Sequence, residues 1–155
     1  MAEPIIEQIA VWINDALDGK SDPDGTLTLR AVRPKILDWS TLQLIHGDVA
    51  IELGMIETLD TDTRSYRREK ATFLLHGFVD HLPDGVKADT YLARCGETIR
   101  RLVLAGNIDA HPLSGLALSI DCPEVVFLPV DGGVKVIVTC IVEYSTAIYD
   151  GYSQD

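Results

Sequence analysis

VKVIVTCIVEYSTAIY, residues 134–149, decides the fold. Val134, Val136, Val138, Cys140, Val142 and Tyr144 recur at every second position, and Lys135, Thr139, Glu143 and Ser145 alternate with them. Successive strand residues point to opposite faces, so this is a long β-strand with one buried face. Its second face is mixed, because Ile137 and Ile141 share it with the polar set. Such a strand either lies under helices on both sides or lends Ile137 and Ile141 to a neighbouring molecule.

Working back from this strand, Asp131-Gly132-Gly133 is a tight turn, and Leu116–Leu128 reads as its antiparallel partner, broken at Cys122-Pro123. Before that partner, Leu92, Cys95, Ile99, Leu102 and Val103 fall on one helical face. Asp89 is placed to cap this helix, Arg100 and Arg101 suit its C-terminal dipole, and Gly106-Asn107 can close it. LPDGV, residues 82–86, is a turn. Ahead of it lie two extended runs, Asp48 to about Thr58 and Tyr66 to Asp80. In the first, Val49, Ile51, Leu53 and Met55 share a face; in the second, Ala71, Phe73, Leu75 and Val79 do. The two runs predict a long hairpin with a polar loop, Leu59–Ser65, and a charged tip carrying Asp60, Asp62, Arg64, Arg67, Arg68, Glu69 and Lys70.

Residues 35–47 lack periodicity and predict an irregular connection with one helical turn at most. Leu27–Val32 reads as a short strand after the turn KSDPDG, residues 20–25. At the front, Pro4 opens a helix in which Ile5, Ile6, Ile9, Ile13, Ala16 and Leu17 form an apolar stripe, Trp12 is a core anchor and Gly19 is the stop. The resulting expectation is an α+β fold, a mainly antiparallel sheet of about four to five strands packed with two main helices. We expect residues 1–149 to form one domain, followed by an acidic tail, residues 150–155.

The 155 residues are 46% hydrophobic and 24% charged, enough apolar material for one core. Against 13 basic residues stand 24 acidic ones, a net charge of −11. This disfavours binding to a phosphate backbone, which requires clustered Lys and Arg. Cys95, Cys122 and Cys140 lie far apart on apolar stripes and read as buried free thiols of a reducing cytoplasm. The opening MAEPIIEQIAVW lacks a basic leader region, and no apolar run approaches the ~20 residues of a membrane span. No membrane association is expected.

Reactive chemistry finds little support. His46, His76, His81 and His111 stand at no recognised ligand spacing, so no metal is expected. The pairs Asp22/Asp24 and Asp60/Asp62 do not continue into a calcium loop and read as solvated turns. No GxSxG, GxxxxGK[ST] or GxGxxG is present, and the cysteines sit where a thiol is inert. The expectation is a protein with no catalytic residues and no cofactor.

The opening helix PIIEQIAVWINDAL, the hairpin halves DVAIELGMIE and YRREKATFLLHGFV, the helix YLARCGETIRRLVLAG and the closing VKVIVTCIVEYSTAIYDGY together resemble the tail-terminator (tail-completion) proteins of tailed bacteriophages. The likeness is one of pattern along most of the chain, with residues 20–47 fitting only loosely. It implies a structural virion protein, assembled in the host cytoplasm, that forms a homo-oligomeric ring, hexameric in that family, on the head-proximal end of the tail tube. Its partners would be the tail tube protein and a neck or head-tail connector protein, with genome DNA passing through the bore without sequence-specific binding. For the contact surfaces the candidates are Arg64, Arg67 and Arg68 at the hairpin tip and Tyr149 and Tyr152 around the start of the tail, residue types often energetic at interfaces. Two alternatives stand beside this reading: a neck or head-tail joining protein of the same kind of particle, and a small cytosolic enzyme or ligand-binding domain.

Overall fold

The computed structural model describes residues 4–61, 66–105 and 116–147. In chain order the elements are helix α1 (Ile5–Leu17), β1 (Arg30–Val32), a 3-10 turn (Trp39–Thr41), β2 (Asp48–Thr61), β3 (Tyr66–Val79), helix α2 (Ala88–Leu104), β4 (Ser119–Val130) and β5 (Gly133–Ala147). They make an α+β fold in which one five-stranded sheet, ordered β1-β2-β3-β5-β4, packs against two helices. Every strand pair is antiparallel except β1 with β2.

The alternation in β5 becomes burial directly: Val136, Val138, Cys140 and Val142 are all 0% exposed. Opposite them in β3 stand Gly77, Leu75, Phe73 and Ala71. Both helices cover this face. Ile9, Ile13 and Leu17 of α1 and Tyr91, Cys95, Ile99 and Val103 of α2 join the same buried cluster, each large apolar side chain contributing about 1.5–3 kcal/mol by leaving water. Trp12 is half-buried at the rim of that cluster. The second face of the sheet carries neither helix. The two possibilities for Ile137 and Ile141 therefore narrow, since β5 is covered by helices on one side only.

Several expectations change. Leu27–Val32 is not one strand: only Arg30–Val32 pairs, and it runs parallel to β2. Leu27 and Leu29 enter the core ahead of it. The expected loop at Leu59 starts later, because β2 continues to Thr61. A bulge at Gly54 inserts one residue between the pairs Leu53↔Phe73 and Met55↔Thr72. Met55 therefore turns to the face opposite Val49, Ile51 and Leu53, as an extra residue in a period of two requires. Helix α2 starts at Ala88, so Asp89 is not its cap; the carboxylate accepts from the Thr90 N–H at 2.8 Å within the first turn. Asp22 is not a solvated turn residue but is 6% exposed, accepting from Thr26 Oγ1 (2.7 Å) and the Leu27 N–H (2.9 Å). Burial alone would raise its pKa, and these donors outweigh it, leaving the carboxyl below its ordinary value. The proposed cap Gly106-Asn107, His111, Asp62 and the acidic tail lie outside the described residues.

Other expectations hold. The single helical turn in residues 35–47 is the 3-10 turn, capped by Asp38 accepting from the Ser40 N–H at 3.0 Å. Asp131-Gly132 is the two-residue hairpin turn between β4 and β5, with Gly132 at φ +82°, a conformation open to glycine at little cost. All three cysteines are free and buried. Burial pushes the Cys95 thiol up to about 12, and a hydrogen bond with Cys122, together with burial, holds Cys140 well above its ordinary value.

Candidate interaction surfaces

Strand register assigns the open face of the sheet row by row. Ser119, Glu143, Lys70 and Glu57 lie side by side across β4, β5, β3 and β2. The next rows are Asp121, Ile141, Thr72, Met55 and then Glu124, Thr139, Leu74, Glu52. Val126, Ile137, His76 and Ala50 follow, and Leu128, Lys135 and Phe78 complete the face. The apolar members Val126, Ile137, Ile141, Leu74 and Met55 run diagonally through it. Five carboxylates and two lysines share the face with them, and Leu128 and Phe78 add apolar surface at one end, so the face mixes apolar and acidic groups.

One part of this face is covered. The Trp39 ring tilts against His76 with centroids 5.0 Å apart, and His76 Nε2 lies 3.3 Å from Glu52 Oε1. Burial holds His76 below the ordinary imidazole value, against the opposing pull of Glu52. The segment behind Trp39 is anchored by Asp48, which is 1% exposed. Its carboxylate accepts from Arg30 Nε (2.8 Å) and Nη2 (2.9 Å) and from the Ile45 N–H (3.0 Å). A groove of about 650 Å³ runs between this segment and the β4-β5 end of the sheet, lined by Trp39, Leu42, Phe78, Val130 and Lys135 among others. Its described lining has no histidine or cysteine.

At one end of the sheet the hairpin of β2 and β3 carries the predicted basic residues. Arg67 Nε lies 3.3 Å from Glu69 Oε1, and Lys70 Nζ lies 3.4 Å from Glu57 Oε2. Arg68 is exposed. Arg64, Tyr149 and Tyr152 lie outside the described residues. The end of β5 nevertheless stands here, since Ala147 pairs with Tyr66, Thr146 with Arg67 and Ser145 with Arg68. The structure thus brings Arg67 and Arg68 to the end of the sheet where β5 finishes. Tyr144, opposite Glu69 in the register, is buried, and burial with the nearby Glu69 charge pushes its hydroxyl up to about 12.

At the other end of the hairpin stands a group that the spacing of the histidines along the sequence does not reveal. His46, Asp80 and His81 place two imidazole nitrogens and a carboxylate oxygen within 4.8 Å of one another. The signal was in the hairpin register: extending the pair Val49↔Gly77 by three places sets residue 46 opposite residue 80.

No protein-family model and no curated protein sequence matches the chain.

Proposed function

We propose that this chain is a structural subunit of a phage-type tail, a tail terminator that assembles as a closed ring, with six subunits as in the family it resembles, on the head-proximal end of the tail tube. The observation that carries the reading is the one-sided sheet: a mainly antiparallel sheet with helices on a single face, an open face of apolar and acidic residues, and a long hairpin with a basic end. A cyclic ring is a heterologous assembly, so each subunit needs two different, complementary patches. The apolar diagonal through Val126, Ile137 and Ile141, next to the outer strand β4, supplies one. The hairpin end with Arg64, Arg67 and Arg68, together with the segment bearing Tyr149 and Tyr152, supplies the other and also reaches the tube.

Capping then works by occupation. The ring satisfies the exposed end of the tube with one set of contacts and offers the neck protein a different surface, so no further tube ring adds. An excess of acidic groups suits a bore through which DNA slides, because like charge prevents adhesion. In this role the protein needs neither cofactor nor catalytic residue.

The test is to mix purified protein with uncapped tail tubes and image them, using wild type and a variant with Arg64, Arg67 and Arg68 all changed to Glu. The reading predicts density at one tube end for wild type and its loss in the variant. Unchanged docking by the variant removes the hairpin assignment, and wild-type protein that leaves both tube ends bare removes the terminator reading.

A further inference from the structure

We propose that His46, Asp80 and His81 form a binding site for a divalent transition metal ion of the zinc class. Two imidazole nitrogens and one carboxylate are a ligand set suited to such ions rather than to calcium or magnesium, which take oxygen. The set is assembled by two segments that the hairpin register holds together. His46 lies just before β2, where the Gly47 N–H donates to the Phe78 carbonyl (2.9 Å) and the Asp48 N–H to the Ile45 carbonyl (3.0 Å). Gly47 has φ +88°, and a Cβ there would stand 2.4 Å from the Thr28 carbonyl oxygen, so the backbone beside His46 is confined. Asp80 and His81 directly follow β3.

The distances approach those of a chelate. With metal-ligand bonds of about 2.0–2.2 Å and tetrahedral angles, donor atoms stand about 3.3 Å apart. His46 Nδ1 and Asp80 Oδ1 are 3.3 Å apart, and His81 Nδ1 and Asp80 Oδ1 are 2.6 Å apart. The first pair already has the required bite. The second must open, and His81, whose side chain is 69% exposed, swings off its stack on His46, where the ring centroids are 3.7 Å apart.

His46 Nδ1 is unprotonated, since it accepts the Asp80 N–H at 3.2 Å, and a metal binding there displaces that long hydrogen bond. Behind it the Tyr91 ring lies nearly parallel, 6° between planes and 6.4 Å between centroids. His46 is the sheltered ligand, with a side chain 17% exposed, while Asp80 is 38% exposed. Asp80 and His81 are exposed, so water can complete the coordination of an open three-ligand site.

The experiment uses tag-free protein, titrated with Zn2+ by calorimetry and with Co2+ by visible absorption, in wild type, His46→Gln, Asp80→Asn, His81→Gln and His76→Gln. The expected result is one ion per chain, a Co2+ spectrum without the intense thiolate charge-transfer band, and affinity reduced about tenfold or more in the first three variants, with His76→Gln unchanged. His81→Gln alters an exposed side chain, so it reports on the site even if another variant misfolds. Absence of saturable binding overturns the proposal. So does a thiolate band, which would move the ion to the cysteines, or binding unaffected by His81→Gln.

Discussion

Replacing Gly96 by Ala measures how closely α2 approaches the sheet. An added Cβ would lie 2.9 Å from Val125 Cγ1 and 3.4 Å from Val136 Cγ1, where unstrained carbon contacts are about 3.5–4.0 Å. Ala is favoured over Gly within a helix by about 0.8–1 kcal/mol, whereas forcing a methyl into a packed core costs about 1–3 kcal/mol. Packing wins, but narrowly. Val125 is on the outer strand β4 and can recede, so the net loss should be about 1 kcal/mol, within the 0–2 that the two terms allow. The partner substitution sharpens the test. Val125→Ala removes the methyl that clashes, and in that background Gly96→Ala should become neutral or stabilising by up to about 1 kcal/mol. A double-mutant cycle by urea unfolding should therefore give a favourable coupling of about 1–2 kcal/mol between the sites. If Gly96→Ala stabilises wild type as much as it stabilises Val125→Ala, the close approach is not what fixes Gly96.

Three further outcomes follow from named side chains. Burial beneath Trp39 holds the folded pKa of His76 below the unfolded value of 6.5. The unfolded chain takes up the proton first as pH falls, and stability contributed above about pH 6.5 is lost progressively below it. His76→Gln should flatten that part of the pH-stability curve relative to wild type, and identical slopes between pH values near neutrality and mild acid would refute the assignment. Cys95, Cys122 and Cys140 are buried, so alkylation of the native protein should be slow and unfolding should expose all three. Rapid native labelling at Cys95, whose thiol stands at about 12, would contradict its packing. Asp22→Ala should cost about 1–3 kcal/mol in thermal or urea unfolding, because the buried Leu27 N–H loses its acceptor; a change within a few tenths would show that water replaces the carboxylate.

Much of this architecture is readable from local chemistry, and its failures have identifiable causes. The alternation translates into burial from Val136 to Tyr144, with Val134 only half-buried at the start of the strand, because β5 runs as an inner strand between β3 and β4. β2 departs from its own pattern at Gly54, since a bulge is a property of two strands and leaves no mark in the periodicity of one. The parallel setting of Arg30–Val32 is invisible for the same reason: alternation is the same in either direction. Asp22 looks like any acidic turn residue until Leu27 folds into the core and brings its N–H with it. Among the candidate contact residues, Arg67 and Arg68 stand at the hairpin end, whereas Arg64, Tyr149 and Tyr152 fall outside the described residues. The His46, Asp80 and His81 group was hidden because His46 and Asp80 are 34 residues apart and meet only through hairpin register.

Electron microscopy of the purified protein with uncapped tail tubes, over a wide range of protein concentration, tests the capping account most directly. The account predicts closed rings or added density at one tube end, with tube length no longer increasing when more tube protein is supplied. Tubes that keep growing, with neither end occupied at any concentration, would contradict it.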